Sequence, residues 1–206
     1  VVTEVQYDLT ATDKTAVELK GIVENAIDSY SSTNLERFGN DFRFSRFVNA
    51  IDDSDPAIVS NETEVRMIKR LFPKTFALNT FDINFGNQLH PSKAISENDP
   101  VIQSSGFTWI SEDSVEFPFS YIRDNGAGKL EVYTTINGVD VVLDDSLGTV
   151  DHVNGTLKIV NLLVAEYGDY ISIYAIPLKR DIIMNENKIV SIEAADVDVT
   201  IVAQSM

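Results

Sequence analysis

TAVELKGIVENAIDSY, residues Thr15–Tyr30, decides the fold class. Ala16, Leu19, Val23, Ala26 and Tyr30 recur at spacings of three and four, with Ile22 and Ile27 beside them. Such spacing lays one apolar stripe along a helix of about four turns. Thr15-Ala-Val-Glu18 matches the capping box that closes a helix amino terminus; Thr12 and Asp13 are alternative caps. The helix is predicted from about Lys14 to Ser31. A helix with one apolar face must lie on a sheet or on another helix.

Before it, Val1–Thr10 alternates, with Val5, Tyr7 and Leu9 against Glu4, Gln6 and Asp8, which reads as a half-buried strand. After it, Ser31–Asn40 is polar, contains Gly39 and reads as loop. Phe42 and Phe44 suggest a short extended piece. Ser45 is the expected N-cap of a shorter helix carrying Phe47, Val48 and Ile51. Asp52-Asp53-Ser54-Asp55-Pro56 ends that helix, because proline excludes helical geometry at the preceding residue. Ala57–Ser60, Thr63–Leu71 and Phe76–Phe85 read as strand. Residues 1–88 are thus expected to form a strand-helix-helix-strand-strand unit of α+β class.

Residues 89–100, polar and carrying Pro91 and Pro100, are the expected linker. Beyond them Asn-Gly occurs at Asn125-Gly126, Asn137-Gly138 and Asn154-Gly155, a dipeptide suited to tight hairpins. Strand-like runs surround these turns: Phe107–Ile110, Val115–Ile122, Lys129–Ile136, Val139–Leu143, Thr156–Val164 and Tyr170–Ile176. Lys188–Glu193 and Val197–Val202 follow. Residues 101–206 are expected to form an antiparallel, sandwich-like β domain.

A chain of 206 residues holds one large core or two small ones, and helix confined to the first quarter favours two. The 32 Asp and Glu against 16 Lys and Arg leave a formal charge of −16, which repels nucleic-acid backbones and anionic lipid. Neither nucleic acid nor a membrane is an expected partner, and no apolar run approaches the ~18 residues of a membrane helix. The absence of cysteine removes disulfides, thiolate catalysis and thiolate metal sites. The sequence opens at Val1 within a strand pattern, so a fragment or processed product is expected.

No catalytic constellation emerges. His90 and His152 lie outside any metal-binding spacing, and no serine sits in a nucleophile elbow. Asp52-Asp53-Ser54-Asp55 lacks the glycine and distal glutamate of a calcium loop and reads as a helix-ending turn. Asp144-Asp145 and Asp196/Asp198 fit solvated strand ends; paired carboxylates hydrolyse glycosides only when held across a cleft. Gly126-Ala-Gly128 has no following helix and is no phosphate cradle. Asn61-Glu-Thr63 and Asn154-Gly-Thr156 are read as chance matches to the glycosylation pattern. Trp109 is read as core. No cofactor, metal or small-molecule substrate is expected.

The order of these features resembles the baseplate J-like family of contractile phage tails. It is carried by the strand Val5-Gln-Tyr7-Asp-Leu9, the helix ending near Tyr30, Leu35 and Gly39, the extended Phe42-Arg-Phe44, the helix Ser45–Ile51 and a return strand around Val65. With Arg123-Asp-Asn-Gly126-Ala-Gly128 and Leu147-Gly-Thr-Val150-Asp151, most of the chain is similar to the carboxy-terminal part of the large wedge subunit of myovirus baseplates. One departure is Asp55-Pro56-Ala57-Ile58, where the family tends to have Pro-Gly-Val.

The resemblance implies a non-enzymatic virion protein of the tail baseplate, assembled in the host cytoplasm. It implies a homodimer that joins other wedge proteins in a ring rearranging as the sheath contracts. It transfers no catalytic residue and names no interface residue; Phe42, Phe44, Phe81 and Phe85 suit core and contact equally. The alternative is a carbohydrate-binding or adhesive module, which requires Trp109, Tyr121 and Tyr133 to form an exposed platform. A hydrolase using paired carboxylates is the third reading.

Overall fold

The computed structural model describes residues 1–91, 100–184 and 188–204. The chain forms two compact units: Val1–Val65 with Arg180–Met206, and Arg66–Lys179. The class is α+β, as expected.

The first unit opens with strand β1 (Val2–Asp8), which buries Thr3, Val5 and Tyr7 on one face. Helix α1 (Ala16–Tyr30) follows with the full capping box: Glu18 N–H donates to Thr15 Oγ1 at 3.3 Å, and Thr15 N–H donates to Glu18 Oε2 at 2.8 Å. Its buried seam is Leu19, Val23, Ile27 and Tyr30; Ala16, assigned to the stripe by spacing, is exposed. The expected loop after it begins instead with a π-helical turn, Ser31–Leu35, that buries Ser31 and Leu35. The apolar Leu35 gives the polar run a reason to stay coiled against the core.

Helix α2 (Phe44–Asp52) starts one residue before the expected cap Ser45, and Arg43 at its N-cap makes no side-chain cap bond. It buries Phe47 and Ile51. Strand β2 (Ile58–Glu64) then pairs antiparallel with β1. The predicted run Thr63–Leu71 is broken in two, and its second part, β3 (Met67–Leu71), belongs to the other unit.

The second unit continues with β4 (Leu78–Asn84), β5 (Ile102–Ser104), β6 (Phe107–Ile110), β7 (Glu116–Asp124), β8 (Lys129–Ile136), β9 (Val139–Asp151), β10 (Thr156–Glu166) and β11 (Ile171–Ala175). The expected sandwich-like arrangement is replaced by one nine-stranded sheet that closes on itself. β7 pairs β8, β8 pairs β9, β9 pairs β10, β10 pairs β6, and β6 pairs β7. Closure of this kind removes strand edges where the pairing is complete, but β9 meets β10 only at Gly148–Asp151. All three Asn-Gly turns fall between consecutive strands of β7 to β10 as expected, and Asn137 and Gly138 both have positive φ.

Two glycines are required by close approach. A Cβ on Gly148 would stand 2.0 Å from the Lys158 carbonyl oxygen, and one on Gly155 1.9 Å from that of Asn87. The short β5 was not predicted; three residues are too few to show a period.

The last strand, β12 (Asp198–Gln204), corrects the sequence reading most. It was assigned to the β domain, yet it pairs in parallel with β1, giving the first unit the sheet order β12-β1-β2. α1 packs on β12 and on α2, and α2 on β2. Lys188–Glu193, predicted as strand, is irregular. The division expected at 89–100 falls within the second unit, and residues 92–99 of it lie outside the described ones. No helix among the described residues is long and apolar enough to cross a membrane.

Candidate functional site

The residues that sequence singled out are mostly spent on structure. Asp55 is buried, accepts Lys14 Nζ at 2.6 Å and takes the Ala57 amide at 3.0 Å. The lysine bond, then the amide, holds its carboxyl below the usual aspartate range. Asp52 accepts the Asn61 amide at 2.7 Å, so the acidic turn ends α2 as read. Asn61 also donates to the Val48 carbonyl, and Asn154 to Asp151. His90 contacts the Pro91 carbonyl through Nδ1 at 3.1 Å. Among the described residues, no group of three or more His, Asp or Glu is placed to hold a metal ion.

Trp109 and Tyr133 are each only 7% exposed, and Tyr121 is half-buried against Tyr133 with ring centroids 5.6 Å apart. They form no exposed platform for a sugar. Of the four phenylalanines, Phe42 and Phe85 are core, while Phe44 and Phe81 are half-buried. Phe42 packs with Tyr30 and Phe47 in a three-ring cluster, centroids 5.2–6.2 Å apart.

Two polar clusters were missed. The Asp124 side chain is fully buried; Oδ1 accepts the Ile102 amide at 2.9 Å, and Oδ2 stands 3.4 Å from His152 Nε2. Asp124 precedes the β7–β8 turn and His152 lies in the β9–β10 turn, so counting hairpin registers could have brought them to one end of the sheet. Arg123 donates to Glu131 at 2.7 Å and Asp140 at 2.6 Å, with its guanidinium 4.2 Å from the Tyr133 ring centre. These groups bind each other, which fixes strands in register.

Several large apolar side chains also reach the surface. Phe72, Phe76 and Leu78 are exposed around the start of β4. Ile136, Val139, Val141 and Val142 are 52%, 64%, 39% and 45% exposed at the end of the β8–β9 hairpin.

No curated protein matches the chain. Residues 2–70 match the family described as baseplate structural protein gp6, C-terminal domain III. The matched stretch runs from β1 through both helices and β2 almost to the end of β3. Over residues 2–70, part of its 206, the chain is thus similar to the C-terminal domain III family of baseplate structural protein gp6, a structural protein of the phage baseplate.

Proposed function

We propose that the chain is a wedge subunit whose work is to dock onto neighbours in the tail baseplate ring. The observation that carries this reading is the family match over the strand and helices that open the first unit. Exposed aliphatic and aromatic side chains on the second unit support it, because docking needs apolar anchors within a polar rim. The role is structural, without a reaction. The subunit pairs with a second copy and joins other wedge proteins in the virion tail, assembling in the host cytoplasm before the contractile sheath acts.

Co-expression with the other baseplate structural proteins of the same phage tests this. The expected result is co-purification with at least one of them and a dimer in sedimentation, with an interface above about 1,000 Å² in total. A chain that stays monomeric at high concentration and retains no tail protein overturns the reading.

A further inference from the structure

Strand β9 has two different edges. One is paired with β8, from Val139 opposite Ile136 to Thr149 opposite Lys129. The other meets β10 only at Gly148–Asp151. From residue 139 to residue 147, therefore, the second edge has no strand beside it among the described residues. Register is regular from Val139 to Val142, then shifts before Asp144. Alternate residues of such a stretch turn N–H and C=O outward, ready to pair with another chain.

Exposed edges are normally guarded by lysine, proline or brevity. This one carries neither residue: it reads Val139-Asp-Val-Val-Leu-Asp-Asp-Ser-Leu147. Val139 and Val141 share one face with Ile136, and Val142 lies on the other. The charges present are all negative: Asp140, Asp144 and Asp145. Asp140 is already held by Arg123 and Thr135, and Asp144 by Ser146, whereas Asp145 is exposed.

We infer that the Val139–Val142 edge receives an extended segment of a different protein as an added strand, apolar at alternate positions and bearing lysine or arginine toward Asp144 and Asp145. Main-chain hydrogen bonds hold such a strand and side-chain alternation selects it. A second copy is the wrong occupant. Pairing β9 with itself gathers three aspartates from each copy, with no cation in the strand, on chains of charge −16. The inference rests on the docking role proposed above and names the surface and partner chemistry.

The test titrates the full chain with each of the other baseplate structural proteins of the same phage, purified singly, and maps amide hydrogen exchange in each mixture. Expected are binding to at least one protein, new protection at residues 139–142, and weakening by salt. Val139→Lys/Asp145→Lys should weaken that binding about tenfold or more. Asp145→Lys alone, at an exposed position, should weaken it less and leave thermal unfolding unchanged; it decides the matter if the double variant misfolds. Undiminished binding by both variants, or protection confined elsewhere, overturns the inference and leaves the docking role standing. Protection at 139–142 on self-association without a partner also overturns it. Failure of the unaltered chain to bind any of these proteins removes the docking role and this inference with it.

Discussion

The two helices of the first unit begin in opposite ways. α1 carries its own start signal: Thr15 and Glu18, three residues apart, satisfy each other's amides. α2 carries none. The amide of Phe44 donates to Asp181 Oδ1 at 2.9 Å, across 137 positions of sequence. Arg43 Nη1 donates to the same carboxylate at 3.0 Å, and Phe42 forms an isolated bridge with Ile182. The difference teaches that a helix whose donors are met locally can be read from sequence, whereas a helix capped by a distant side chain can be found but not bounded.

The strongest way to break this comparison is to end the chain at Lys179. That removes Asp181, Ile182 and the whole of β12. Hydrogen exchange should then show α2 and β1 without slow amides. Peptides sharpen the same contrast: one spanning residues 12–35 should show more helix by circular dichroism than one spanning 41–55, although isolated helices of this length are marginal. A helical 41–55 peptide would sink the contrast.

Phe47→Ala comes next. Phe47 is fully buried between Phe42 and Tyr30, so denaturant unfolding should report a loss of about 3–5 kcal/mol. A smaller effect follows from the caps. Thr15→Ala should cost about 1 kcal/mol. Asp181→Ala should cost more, because it removes the α2 cap and an Arg43 partner together. Equal losses would mean that the distant cap adds nothing beyond a local one.

The smallest expected effect is on acid stability. The Phe44 amide, then Arg43, holds the Asp181 carboxyl below the usual aspartate range. A folded value below the unfolded one makes this contribution complete above about pH 4, and it disappears as pH falls through the folded value. The slope of unfolding stability below about pH 4 should therefore flatten in Asp181→Asn. An unchanged slope would show that the cap does not depend on charge.

Legibility followed range. The Asn-Gly turns placed β7 to β10 because two residues set a hairpin's twist and register. α2 ended within the acidic run before Pro56 as read, at Asp52, because a proline close downstream leaves the helix no room to continue. The π-helical turn at Ser31–Leu35 was missed, since its stabilising contacts include the bond from Ile192 N–H to Ser31 Oγ at 2.9 Å. The buried approach of Asp124 and His152 was equally silent: both read as polar residues beside turns. The free edge of β9 could not be read either, because a valine-rich run looks the same whether one neighbour or two lie beside it.

The sequence by itself determined the two α-helices and the longer strands, where the hairpins turn, and the excess of acidic residues, since these follow from composition and from neighbours within a few residues. Only the tertiary structure decided that β12 returns to lie beside β1, that β6 to β10 close into a ring, and that, among the described residues, no strand covers the second edge of β9 over 139–147. Alternation states that a strand has an inner and an outer face. It carries no mark of which strand lies alongside, because backbone hydrogen-bonding groups are the same in every residue but proline.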